Sequence, residues 1–209
     1  MVGTPITPSP QRLITMTAPV RPRFRAQRVS LSTGLGTHID APAHCVPGGK
    51  TVDQIAFSRF FAPIVVINVA DKAHDTYIIS AADILAFEKE HGPIGAYHHV
   101  FFHTGWSRHW TTPEHYQNEC HFPTLSPEAA RLIVARQPYS VGIDTTSVDR
   151  PGGNQYPAHE ILLQNDCYII ENLTSLDKVP ATGAMGLMLP LILVGAVEGP
   201  ARVIAICRS

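Results

Sequence analysis

The chain has 209 residues, 44% of them hydrophobic, enough to bury the core of one domain. Lys and Arg total 16 against 17 Asp and Glu, so the formal net charge of -1 excludes the broad basic field of a nucleic-acid or anionic-membrane binder and favours a small-molecule ligand. Cys45, Cys120, Cys167 and Cys207 form no CxxC pair, which excludes a zinc knuckle or a small disulfide scaffold and fits reduced thiols.

Residues 1–30 form a Pro/Arg-rich leader. Arg12, Arg21, Arg23, Arg25 and Arg28 without an acidic residue resemble a transit peptide, but Pro5, Pro8, Pro10, Pro19 and Pro22 break the amphipathic helix such a peptide needs. No apolar run is long enough for a membrane span or a secretory segment, so a cytoplasmic location is expected. Residues 31–209 read as a single domain. PIVVINVAD (63–71) is a predicted strand. Ser80 then caps a predicted helix through AADILAFEKEH, with Asp83 as the reciprocal acid of a capping box and Gly92 as its stop. HHVFFHTG (98–105) reads as a buried strand, and LSPEAARLIVAR opens with an N-cap Ser126 and an N1 Pro127. SVGID (140–144), CYIIE (167–171), LMLPLILVG (187–195) and RVIAIC (202–207) complete the strands, Pro190 making the third of these an edge or a broken strand. This order mixes βαβ-like units with consecutive strands, which predicts an α/β fold with a mixed sheet. No GxGxxG, Walker A, GxSxG or HExxH motif occurs.

The stretch GLGTHIDAPAHC (34–45) places two histidines and an aspartate around a proline. Pro42 disfavours the α region at Ala41, so the segment is expected to be extended or turn-like. If it is extended, Gly34, Gly36, His38, Asp40 and His44 share a face. His38 and Asp40 then form a bidentate start to a divalent metal site; equally, the histidines are satisfied structural residues and Asp40 a turn former. His159, near the start of a predicted helix, and Glu171, at the end of the following strand, form a second pair. Six helical residues carry the chain about 9 Å and three or four strand residues return it about 10 to 13 Å, so the two side chains can end level. A capping histidine and an exposed strand-end glutamate are the plain alternative, against which stands the cost of burying an unpaired carboxylate after the apolar run Tyr168–Ile170.

The nine residues GTHIDAPAH resemble the HxGTHxDxPxH signature of the metal-dependent cyclase and hydrolase family that includes bacterial kynurenine formamidase and isatin hydrolase. The resemblance extends through HTGW (103–106), FPTLSPEAARLI, VGIDTTSVD, HEILLQNDCYIIENL and LPLILVGAVEGPARVIA, or about residues 32–206. It implies a swivelling β/β/α fold, a homodimer or homotetramer, and hydrolysis of an amide, lactam or related cyclic carbonyl bond of a small molecule. It makes His38, Asp40, His159 and Glu171 metal ligands, with Asp40 able to bridge two ions, and His44 the catalytic acid/base. The metal is expected to be zinc or manganese, activating a bound water as nucleophile. The leader is shorter than the family's, its first strand being absent or donated by a partner chain. The family's first signature histidine falls on Gly34, so one ligand is missing. Hence about one ion per chain is expected, at the position of Asp40, His159 and Glu171, and Gly34→His is expected to raise occupancy toward two. His98, His99, His103, His109, His115 and His121 are candidate replacements, each more simply a polar-face or cleft residue. Cys45 is expected in the core by parity, and Thr104, Gly105 and Trp106 at the pocket wall. The rival reading is a degenerate member, a metal-stabilised binding or structural oligomer without turnover.

Overall fold

The computed structural model describes residues 14–16, 27–152 and 155–208. In chain order the elements are β1 (Ile14–Met16), β2 (Gln27–Val29), β3 (His38–Asp40), β4 (Phe61–Asn68), β5 (Ile78–Ile79), α1 (Ala81–His91), β6 (His99–His103), α2 (Pro113–Gln117), β7 (Thr124–Leu125), α3 (Pro127–Val134), β8 (Ser140–Ile143), α4 (Pro157–Gln164), β9 (Tyr168–Glu171), β10 (Ala184–Pro190) and β11 (Glu198–Ile206). Seven strands close into a barrel in the order β10-β11-β3-β9-β8-β6-β4. The run β4-β6-β8-β9 is parallel, as helix-connected strands must be, and the remaining ladders are antiparallel. The expected α/β fold with a mixed sheet is present. Its closure into a barrel was not legible, because closure depends on pairing between β10 and β4, more than a hundred residues apart in sequence.

Alternation along the strands builds two apolar layers. Ile64, Val66, Phe101, Tyr168 and Ile170 pack with Ile39 inside the barrel. Their neighbours Val65, Ile67, Val100, Phe102, Val141, Ile143 and Ile169 face outward. There they meet Ile84 and Phe87 of α1, Ala129 and Ile133 of α3, and Ala158 and Leu162 of α4. Strands buried on both faces explain why these runs read as continuously apolar. Ile39 points inward, so His38 and Asp40 point outward, to the side that α4 covers.

The helix caps are as expected. Ser80 and Asp83 form the capping box of α1, Gly92 ends it at φ 87°, and the Ser126 side chain accepts from Ala129 N–H at the start of α3. Asp83 is also paired with Lys72. Two expectations need correction. β10 begins at Ala184 and ends at Pro190, so LILVG (191–195) is loop, and β10 is an inner strand between β11 and β4. The proline stands at the last paired position, where the ladder needs no further donor from it. In the leader, Ile14–Met16 pairs antiparallel with Gln27–Val29 of the same chain; apart from Ser30, the rest of that leader lies outside the described residues. Among the described residues no helix is long and apolar enough to cross a membrane.

Candidate metal centre

The site is assembled by strand register. In the antiparallel ladders flanking β3, His38 stands opposite Glu171 of β9 and Asp40 opposite Glu198 of β11. Directly opposed residues share a face, so all four side chains lie on the outer side of the barrel. The start of α4 adds His159 over the same point. His38 Nε2 is 3.4 Å from Asp40 Oδ1 and 3.6 Å from Glu171 Oε2. His159 Nε2 is 3.3 Å from Glu171 Oε1 and 3.7 Å from Asp40 Oδ2. His38, Asp40, His159 and Glu171 are each no more than 5% exposed. The structure thus brings His38, Asp40 and Glu171 into one group of possible ligands and sets His159 beside it, against Glu171 and Asp40.

The imidazoles are held from behind. His38 Nδ1 is 2.8 Å from the Gly36 carbonyl, which can only accept, so this ring nitrogen carries its proton and Nε2 is turned to the carboxylates. His159 Nδ1 is 2.8 Å from Asp149 Oδ2. The same Asp149 accepts from the backbone N–H of Ala158 and His159, at 3.0 and 2.8 Å, and so caps α4 while orienting the ring. Glu171 Oε1 accepts from Val148 N–H at 3.1 Å.

The electrostatics of this pocket call for positive charge. Burial would lower the His38 pKa, yet the Asp40 and Glu171 carboxylates and the Gly36 carbonyl raise it to about 10. Burial would likewise raise Asp40, but His159 and His38 hold it well below the usual carboxylate range. His159, also opposed by burial, is raised well above its ordinary value by Asp149, Asp40 and Glu171. Neither Asp40 oxygen has a hydrogen-bond partner among the described residues, and the contacts at 3.4 and 3.7 Å are too long to be one. Two buried carboxylate oxygens, each facing an imidazole nitrogen beyond hydrogen-bond distance, suit a cation. Donors about 2.1 Å from a tetrahedral ion stand about 3.4 Å from each other, the spacing seen here. His38, Asp40 and Glu171 form one group whose ligand atoms lie within 4.8 Å of one another. The residues therefore fit a divalent ion.

His44 arrives by a different route from the one its spacing suggested. The extended run stops at Asp40; Ala41 is still extended, and Pro42–His44 make one 3-10 turn with Pro42 at its first position. A proline's fixed φ suits that position, so the turn wins over extension. The turn places the His44 ring, exposed, with its centroid 5.9 Å from that of His159. Asp40, His44 and Glu198 form a second group within 4.8 Å. Cys45 packs, partly buried, against the outer apolar layer, on the side that carries the ligands and not on the opposite face that parity predicts. None of His98, His99, His103, His109, His115 or His121 joins either group among the described residues. His99 is buried against Ser140 Oγ at 2.8 Å, and its pKa falls to about 3 through burial and the neighbouring His98 and Arg59. Thr104 donates its hydroxyl to Asp144 at 2.6 Å, and Trp106 packs with Tyr116 and Phe122.

A family model described as putative cyclase matches residues 3–150. The chain belongs to this cyclase family. Isatin hydrolase of Roseibium aggregatum is 30% identical over 200 residues, covering 88% of this chain and 76% of that protein. Kynurenine formamidase of Polaromonas naphthalenivorans is 29% identical over 179 residues, covering 85% and 72%. Among solved structures, an isatin hydrolase bound to the product analogue thioisatinate matches with a TM-score of 0.84 at 28% identity, over 92% of this chain and 80% of that one. A potential metal-dependent hydrolase with cyclase activity matches at 0.76 and 28%, over 98% and 91%. The expected enzyme class, a metal-dependent hydrolase acting on carbon–nitrogen bonds other than peptide bonds, is borne out by these relatives.

Reading residue by residue missed three contributors: Asp149, Glu198 and Asn172. Asn172 donates to the Gly36 carbonyl at 3.0 Å and steadies the loop that carries His38. The aspartate had a signal, an acid just ahead of a helix N-terminus that carries a candidate ligand. The other two are set by strand pairing. Glu198 also bears on Gly34, which is buried and outside the positive-φ region. A Cβ there would meet Glu198 Oε1 at 2.5 Å, so Gly34→His, expected from the sequence to add a ligand, must first displace that carboxylate.

Proposed function

We propose that the chain hydrolyses an amide or lactam-type bond of a small molecule, with a divalent ion held by His38, Asp40, His159 and Glu171 and with His44 as acid/base. The observation that carries this reading is the pair of unpartnered oxygens on the buried Asp40, facing two oriented imidazoles. When bound, the ion supplies a Lewis acid that polarises a carbonyl and makes water nucleophilic near neutral pH. The protein does the rest. Asp149 and Gly36 fix the two imidazoles so that Nε2 faces inward. Burial excludes bulk water from the carboxylates, which strengthens every charge interaction at the centre. His44 stands at the exposed rim, where it takes a proton from the attacking water and returns it to the departing nitrogen as the carbon–nitrogen bond breaks. Zinc and manganese both suit a mixed imidazole and carboxylate set.

The test is hydrolysis of isatin and of N-formylkynurenine, followed by absorbance, with the protein as isolated, after chelation and after metal is restored. Activity that is lost on chelation and returns with zinc or manganese supports the reading. Turnover indifferent to chelation would refute the metal's role. Binding of the ion without turnover of either compound or of simple amides would favour the degenerate-member reading. We also propose a homo-oligomer, supported by the exposed apolar residues Phe57, Leu191, Ile192 and Val194; sedimentation at micromolar concentration as an active 22.8 kDa monomer would contradict it.

A further inference from the structure

The ladder between β3 and β11 sets Glu198 directly against Asp40. Opposed residues have Cβ atoms about 4.5–5.5 Å apart, and like charges so placed destabilise the pair. With Glu171 across the other ladder, three carboxylates converge on a place where Asp40 is 1% exposed and has no hydrogen-bond partner among the described residues. The arrangement is costly unless positive charge sits among them. Glu198 is also placed with some care. Thr33 donates its hydroxyl to Oε2 at 3.0 Å, and Oε1 reaches the space beside Gly34. The point where a Gly34 Cβ would stand is 2.5 Å from Glu198 Oε1 and 3.5 Å from His38 Nε2, so carboxylate and imidazole both reach the place where a side chain at 34 would begin. One ligand atom of Glu198 also lies within 4.8 Å of one on Asp40.

We propose that Glu198 is a metal ligand, supplying from β11 the donor that Gly34 cannot supply from the loop before β3. This rests on the metal-holding reading above and extends it to a residue outside the four-ligand set. The glycine and the glutamate are two halves of one exchange: the side chain absent at 34 vacates the volume that the side chain at 198 enters. Thr33 gives the carboxylate the hydrogen bond that ligating carboxylates commonly carry from behind. Replacing an imidazole by a carboxylate also hardens the donor set, which moves relative preference from zinc toward manganese.

The test is a competition titration of metal-free protein with zinc, and separately with manganese, against a chromophoric chelator. It compares the native chain, Glu198→Gln, Glu198→Ala, and Glu198→Ala combined with Gly34→His. Glu198→Gln keeps the shape and the Thr33 contact, so its fold is checked by circular dichroism and a thermal melt. It is expected to weaken binding at least about 10-fold, a loss seen even for residues one step removed from a metal. The melting temperature of its metal-free form is expected to hold or rise, since one of three crowded negative charges is gone. The combined variant is expected to regain zinc affinity over Glu198→Ala and to show a higher zinc-to-manganese affinity ratio than the native chain. Binding by Glu198→Gln within twofold of native would overturn the proposal, even if its pH–rate profile moved, because that would make Glu198 an orienting partner of His44. A native chain that takes up neither ion would overturn this proposal and the metal-dependent reading together.

Discussion

Asp149→Asn is the substitution that best separates a metal-orienting residue from a helix cap. Asp149 is 4% exposed and uses both oxygens: Oδ2 accepts from His159 Nδ1–H and from His159 N–H, each at 2.8 Å, and Oδ1 accepts from Ala158 N–H at 3.0 Å. Asparagine fits the space but has one acceptor oxygen and one NH2. With the oxygen turned to His159, the NH2 faces Ala158 N–H, and both that N–H and the NH2 itself are left without an acceptor. Turned the other way, it leaves both His159 N–H groups facing the NH2. The better orientation therefore costs at least about 1–3 kcal/mol of folding stability, the penalty for each unsatisfied buried group. It also replaces a charge-assisted bond to the imidazole by a neutral one about half as strong, which makes His159 Nε2 a poorer donor. A partner of this kind is worth about 10- to 100-fold in metal affinity. Urea melts of the metal-free forms should show the stability loss, and chelator competition should show the affinity loss. A variant that is destabilised but binds zinc as tightly as the native chain would refute the reasoning, leaving Asp149 as the cap of α4 alone.

His44→Ala is expected to lower turnover by about 10² to 10⁴ while leaving bound metal, measured by elemental analysis, nearly unchanged. Because His44 lies within 4.8 Å of Asp40 and Glu198, loss of metal together with turnover would instead place it among the ligands. In the metal-free protein, His38 has its folded pKa raised from 6.5 to about 10. The stability it contributes is therefore fully present below pH 6.5 and lost as pH rises through about 10. Asp40, held low, contributes stability present above its unfolded pKa and lost on strong acidification. Urea midpoints of metal-free protein should then fall from pH 6.5 toward 10, and a flat profile over that range would show that His38 is not paired as described.

What was legible in the sequence is what local chemistry decides. Ser80, Asp83 and Gly92 bound α1 through contacts within a few residues, and Ser126 with Pro127 starts α3 in the same way. His159 and Glu171 could be placed level because a helix and a strand of known rise lie between them. The parity argument succeeded for His38 and Asp40, two residues apart within one strand, and failed for His44 once Pro42 began a turn. It was right about the site and wrong about the path. Pro190 signalled an ending, but the strand's inner position rested on pairing with Phe61–Ile64 of β4, which no local pattern announces.

The missing ligand shows where a residue-by-residue reading stops and why. A histidine is the like-for-like substitute for the absent imidazole, yet among the described residues none of His98, His99, His103, His109, His115 and His121 joins the site. The structure puts a different chemistry from a distant place at that point: Thr33 and Glu198 are hydrogen-bonded across 165 residues, through the register of β3 with β11. Register has a sequence signature only after the pairing is known. Once it is, the parity that put His38 and Asp40 on one face also puts Glu171 and Glu198 there, since opposed residues inherit each other's face. An acid at the mouth of a largely apolar strand is the one local clue, as it is for Glu171 after Tyr168–Ile170, but Glu198 is half-buried where Glu171 is buried. The burial cost that marks Glu171 is smaller at Glu198, where the like charge of Asp40 directly opposite is what favours a cation beside it. The space beside Gly34, which Glu198 Oε1 enters, shows the side from which that carboxylate approaches His38.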